Sequence, residues 1–321
     1  CGSAAPFIEE MITTALKIGH DDSGRAELKQ VNRALKEMRY ANKVFAPYGD
    51  CRKIAVFGSA RTKPEEPEYQ AAEEFSRKIA ERGFMVITGA GPGIMQAAQE
   101  GAGADDSFGL RIQLPFEAGA NDVIEGDPKL INFKYFFTRK LSFVKEAQAA
   151  ALFPGGFGTM DEGFETLTLM QTGKAMIFPV VLVDAPGGTY WKTFTAFLRE
   201  HLLRLGLISE NDFSLFKVFD DVDAAVEEVS GFYRVFNSYR YVRDKLVIRL
   251  NQKLPKTDLD AINGEFGDLL ISGKFTQTKA LPEERNEKEL ADLPRLVCRP
   301  DRGNYGRMRQ LIDAINQSDV S

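Results

Sequence analysis

The sequence predicts an α/β protein built on a doubly wound, Rossmann-like parallel sheet, with a helical segment before it and a small α/β extension after it. Three observations lead there. Short apolar runs alternate with helical patterns from Lys53 to Tyr233, the rhythm of strand-helix-strand units. Two of those runs end in glycine loops, at Gly89 to Gly93 and at Gly155 to Gly158, where parallel strands deliver their ligand sites. Beyond about Arg234 the regular alternation stops. Residues 1–50 are therefore expected to form the helical segment, 51–233 the Rossmann-like domain and 234–321 the extension.

Composition narrows the function classes. The 321 residues suffice for one large domain and a smaller piece, with ordinary apolar and charged fractions. Cys1, Cys51 and Cys298 are scattered and odd in number, which fits a reducing compartment and gives neither a disulfide framework nor a cysteine-rich zinc site. His20 and His201 stand outside every glycine motif, so no histidine triad or metal site is expected. With no apolar run long enough to span a bilayer and no signal peptide, the expectation is a cytoplasmic protein without a membrane partner. A net charge of −5 argues against nucleic acid as the main partner, so an anionic substrate must be drawn in by local positive groups.

Residues from about Pro6 to Ala46 read as helical, with no chemistry in them. Lys53 to Phe57 is a buried strand, and Gly58-Ser59-Ala60-Arg61 at its carboxyl end faces the site, with Ser59 a candidate contact. A helix around Pro67 to Arg82 leads to the strand Phe84 to Thr88, then to Gly89, Gly91 and Gly93, where a second helix opens with Pro92 near its first turn. This loop is Gly-x-Gly-x-Gly after the second strand, not the Gly-x-Gly-x-x-Gly after the first that binds NAD or FAD. Ser107 to Ile112 and a short run Asn121 to Ile124 are the next strands, and a helix opening at Asn132 runs to Glu146 carrying Arg139 and Lys140. Consecutive on a helix, those two side chains diverge by about 100° and need not reach one ligand. Phe136 and Phe137 are candidates to stack on a base, or else core. Later elements are Phe178 to Val183, Tyr190 to Leu205, Leu215 to Phe219 and Val222 to Phe232; in the extension, Tyr239 to Leu250 and Pro294 to Cys298 read as strands, Leu259 to Ser272 and Tyr305 to Asn316 as helices.

The chemistry concentrates between Ala149 and Glu165. A buried strand, Ala149 to Phe153, runs into Gly155, Gly156 and Gly158, which let backbone approach a ligand, and Thr159 caps the helix that follows. First-turn amides there point at an anion. Glu162 and Glu165, three apart, share a helix face just behind it. Alternatively Thr159-x-x-Glu162 is only a capping box.

The whole string Pro154-Gly-Gly-Phe157-Gly-Thr-Met-Asp161-Glu162 resembles the signature of the LOG (LONELY GUY) family, often labelled lysine decarboxylase-like, and Arg139-Lys140 stands where that family carries an Arg-Lys pair. The resemblance covers Lys53 to Tyr233 and implies a nucleoside 5′-monophosphate phosphoribohydrolase: AMP or a cytokinin-type N6-substituted AMP gives free base and ribose 5-phosphate. It implies Arg139 and Glu162 as the essential pair, with Ser59, Gly89, Gly91, Gly93, Lys140, Gly155, Gly156, Phe157, Gly158, Thr159, Asp161 and Glu165 around the substrate. It also implies a homo-oligomer and no metal or redox cofactor. Phe136-Phe137-Thr138 departs from the family's usual Met and His at those places, which bears on base selectivity. Breaking the glycosidic bond creates a cationic sugar, so a carboxylate near C1′ is what the chemistry needs, and a 5′-phosphate held on the glycine-loop amides would fix C1′ against it. Asp161 or Glu165 would hold the ribose hydroxyls. The competing expectation is a carrier or sensor of a phosphorylated ligand, because some relatives of the fold bind a molybdenum cofactor. Amino-acid decarboxylation would need a pyridoxal phosphate lysine with its partner, a constellation the sequence lacks. For the extension, covering the site, building an oligomer interface or binding a regulator are all open, in that order.

Overall fold

The structure, a computed structural model, describes residues 4–21, 23–113 and 119–320; Cys1 lies outside them. Two helices, α1 (Ala5–His20) and α2 (Arg25–Phe45), precede β1 (Lys53–Phe57). Then come α3 (Pro67–Glu81), β2 (Met85–Thr88), α4 (Ile94–Ala102), β3 (Ser107–Ile112), β4 (Leu130–Phe133), α5 (Phe136–Glu146) and β5 (Ala149–Leu152). The domain continues through α6 (Phe157–Gln171), β6 (Val180–Val183), α7 (Tyr190–Phe197), β7 (Lys217–Phe219) and α8 (Val222–Gly231).

All seven strands pair in parallel in the order β4-β3-β2-β1-β5-β6-β7. The chain winds outward from β1 in one direction, returns to β5 on the other side of β1 and winds outward again. The fold is therefore doubly wound, and its crevice opens between the loops that leave β1 and β5. Every residue of β1, β2, β5 and β6 is buried, as a sheet covered on both faces requires. Phe75 and Ile79 of α3, Ala97 of α4 and Val226 of α8 pack on one face. Phe45 of α2, Phe143 of α5, Met170 of α6 and Trp191 of α7 pack on the other.

Several sequence expectations change here. Asn121 to Ile124 is a turn, not a strand: the Asn121 side chain donates to Gly91 O and Gln99 Oε1 and its amide to Ala90 O, so the segment plugs the second glycine loop. The edge strand is β4, and α5 consequently begins at Phe136, four residues after Asn132. The helical segment before the domain is two helices, α1 and α2. None of α1 is buried.

The extension is a four-stranded antiparallel sheet in the order β10-β11-β9-β8, made by β8 (Phe236–Val242), β9 (Lys245–Leu250), α9 (Lys256–Glu265), β10 (Leu270–Thr278), β11 (Arg295–Pro300) and α10 (Tyr305–Gln317). The run Tyr239 to Leu250 thus holds a hairpin, turning at Arg243 with φ 58°. The helix expected to reach Ser272 stops at Glu265, because Leu270 to Thr278 pairs with β11 and Asn263 bonds both backbone groups of Phe275 from the outer side. Helix α10 docks at the carboxyl end of α6: a Cβ on Gly173 would meet the Tyr305 ring at 2.1 Å. Fifteen residues of α6 put that contact about 22 Å from its amino end.

Candidate active site

Three loops meet at the carboxyl edge of the central strands. The Ser59 amide donates to Pro154 O at 3.1 Å, which ties the loop after β1 to the one after β5, and Ile94 N donates to Ser59 O at 3.0 Å, which ties it to the one after β2. These bonds shape a cleft of about 760 Å³. Its walls include Ser59, Arg61, Gly89, Phe136, Arg139, Tyr190 and the whole run from Gly155 to Glu162. Among the described residues, nothing after Tyr190 lines it. The expectation that the extension covers the site therefore fails within the chain, since that unit sits at the far end of α6.

The glycine loop works differently in detail from the sequence expectation. Helix α6 begins at Phe157, with Gly156 as its cap and no side-chain capping bond. Thr159 is thus inside the first turn and is not the cap, and the capping box with Glu162 does not form. The amides of Thr159 and Met160 both donate to Gly156 O at 3.1 Å. Those of Phe157 and Gly158 have no acceptor among the described residues, which leaves two unengaged donors at the positive end of the helix. Thr159 is instead buried against Gly155, where a Cβ would lie 2.1 Å from its Oγ1 and 3.0 Å from Ser59 N. Only glycine leaves room there for both the Thr159 side chain and the Ser59 backbone.

Glu162, one turn into α6, sits at the cleft floor and is 7% exposed. Its carboxylate lies 3.7 Å from Arg139 Nη1 and 4.0 Å from Lys140 Nζ. Burial lifts its carboxyl above the usual range, and the two cations pull it only part of the way back. The Arg139 guanidinium is held by Nε donating to Leu110 O at 2.8 Å and by the Phe143 ring, 5.2 Å away. Gly89 makes room for it, since a Cβ there would meet Nη2 at 2.8 Å.

Lys140, beside Arg139 on the helix, reaches the other oxygen of Glu162 from outside the cleft wall. It does not line the cleft; it bonds Asp161 at 2.8 Å and Glu165 at 2.7 Å. Burial works against its charge, but those two bonds outweigh burial and its pKa goes up. Glu165 is likewise outside the cleft wall, whereas Asp161 is on it. Gly91 and Gly93 also lie outside. Gly93, with φ 69°, packs its Cα against the backbone of Ser59 and Ala60. Of the two aromatic candidates, Phe136 lines the cleft, while Phe137 stacks on Tyr135 at 5.5 Å instead.

Arg61, Met95 and Tyr190 also line the cleft and belong to none of the glycine motifs. Arg61 lay within a loop already read as facing the site. Tyr190 gave no local signal: its hydroxyl donates to Gly155 O at 2.6 Å, a contact that only the tertiary fold creates.

A family model described as "Possible lysine decarboxylase" matches residues 93–229, from the end of the second glycine loop through Glu162 to α8. The matched span holds both Arg139 and Glu162. No curated protein matches the chain. Among solved structures it is similar to the molybdenum cofactor binding protein of Rippkaea orientalis, at 18% identity over 55% of this chain and 94% of that one, TM-score 0.40. The molybdenum cofactor carrier protein of Chlamydomonas reinhardtii is similar at 23% identity over the same shares, TM-score 0.35. The DNA processing protein A of Helicobacter pylori is similar at 15% identity over 56% and 80%, TM-score 0.38.

Proposed function

We propose that the chain hydrolyses the N-glycosidic bond of a nucleoside 5′-monophosphate, AMP or an N6-substituted AMP, to free base and ribose 5-phosphate. The observation that carries this is the buried Glu162 carboxylate 3.7 Å from Arg139, on the floor of a cleft whose rim offers the unengaged amides of Phe157 and Gly158. The phosphate takes those amides, with Arg61 on the facing loop. Glu162 then faces C1′, where it stabilises the developing cation and takes a proton from the attacking water. The C1′–N bond breaks, water oxygen bonds C1′, and the proton returns to the departing base. Asp161, on the cleft wall, is the ribose contact, and Phe136 offers its ring to the base. Incubation with a panel of monophosphates tests the reading: free base and ribose 5-phosphate are expected in equal amounts. Tight binding of a nucleotide or a pterin with no product would favour a carrier.

The pH dependence has a defined sign. Glu162 acts ionised, and burial holds its carboxyl high, so the acid limb of kcat/KM is expected above the ordinary glutamate value of about 4.3. Lys140→Met removes a cation that lowers Glu162 and unpairs Asp161 and Glu165 beside it, so the limb should move to higher pH. A limb that stays put or moves down would contradict the assignment.

The homo-oligomer also belongs to this reading. Leu28, Val31, Leu35 and Met38 of α2 are exposed at the three-and-four spacing that packs helix against helix.

A further inference from the structure

Helix α5 carries Arg139, yet its cap residue Tyr135 supplies no side-chain bond to the first turn. The group that meets this end comes from outside the domain. Glu37 of α2 is 5% exposed and its carboxylate accepts from Lys134 N at 2.9 Å, Thr138 Oγ1 at 2.6 Å and Arg33 Nε at 2.8 Å. A carboxylate so buried is rare unless fully partnered, and this one has a donor for each need.

Its neighbours show that α2 does not require a charge there to pack. One and two turns on, Ala41 and Phe45 make the contact, with Phe45 stacked on Phe108 at 4.5 Å. The Thr138 hydroxyl has one proton and two acceptors within reach, Glu37 at 2.6 Å and Tyr135 O at 3.0 Å. The charged acceptor is the stronger, so Glu37 sets the rotamer of the residue next to Arg139. A negative group at the amino end of α5 also suits the helix dipole. Burial works against the Glu37 charge, but the three donors outweigh it and keep its carboxyl below its usual range.

We infer that Glu37 is a positioning residue for the site: from α2 it fixes the first turn of α5 and so the line along which Arg139 reaches from Leu110 O to the cleft. This rests on the reading that Arg139 meets the phosphorylated ligand. It gives the helical segment before the domain a part in the site, where its sequence shows no chemistry.

The test is a double-mutant cycle on AMP affinity by calorimetry, in a Glu162→Gln background so that nothing turns over. Glu37→Ala is expected to weaken AMP by at least about threefold, within the range of coupled pairs, and Arg139→Ala by more. The double variant should be no weaker than Arg139→Ala alone. A purely structural role would make the two losses multiply, which would overturn the inference, as would an unchanged affinity in Glu37→Ala. Hydrogen exchange supplies a ligand-free arm: amides 134–139 should exchange about tenfold faster in Glu37→Ala while β5 and β6 keep their protection, and unaltered exchange there refutes the inference. If AMP binds no variant, the hydrolase reading falls and exchange decides this one separately. Should Glu37→Ala fail to fold, Glu37→Gln, which keeps the shape and loses the charge, carries both measurements.

Discussion

Glu162→Gln is expected to cut turnover of a nucleoside monophosphate by at least about 100-fold, the usual cost of removing one charged catalytic group. The substitution keeps the volume and removes only the charge that opposes the cationic sugar. It should leave the fold intact, for a reason that the direction of the Glu162 shift supplies. A carboxyl held above its ordinary range in the folded state binds its proton more tightly there than when unfolded, so ionisation takes stability away as pH rises past the ordinary value. At pH 7 the neutral Gln escapes that cost. The melting temperature of the variant should match or exceed that of the parent while activity disappears. Near-normal turnover, or a fall in both activity and melting temperature, would count against a catalytic carboxylate at this position.

Gly93→Ala is expected to destabilise the chain by about 4 kcal/mol or more, the range reached only by a few severe mechanisms. Two of them act together here. Gly93 has φ 69° and ψ −134°, a region essentially confined to glycine. A Cβ would also lie 2.3 Å from Ser59 O and 2.7 Å from the Ala60 carbonyl carbon, and backbone cannot step aside as a flexible side chain does. The Ile94 amide bond to Ser59 O breaks with it. Thermal unfolding should show a fall of about 10 °C, with weakened AMP binding as the loop after β1 loses its anchor. A midpoint within a degree or two of the parent would show that the loop tolerates the side chain.

Much of this architecture could be read from residue order, and the exceptions have physical causes. The buried parallel strands are short continuous apolar runs bounded by glycine, a pattern with few other solutions, so β1, β2, β5 and β6 were found within a residue or two. The edges were harder. Leu130 to Phe133 hides in front of a helix, and Asn121 to Ile124 looks extended until Asn121 is seen bonding Gly91 and Gln99 across 30 and 22 residues of sequence. The helix start at Phe157 misled because Thr159 is a good capping residue, whereas Gly156 takes the cap three residues earlier. The motif singles out Arg139 and Glu162, and the fold brings the two to 3.7 Å. Lys140, expected among the substrate contacts, instead pairs with Asp161 and Glu165 outside the cleft wall. Tyr190 and Glu37 were not legible, since each acts through a partner far away in sequence, Gly155 in one case and Thr138 in the other.

The most direct measurement is a crystal structure of Glu162→Gln with AMP bound. The account predicts the 5′-phosphate within hydrogen-bond reach of the Phe157 and Gly158 amides, and C1′ between residue 162 and the Arg139 guanidinium with room for one water. AMP seated with its phosphate elsewhere, or with C1′ turned away from residue 162, would contradict it.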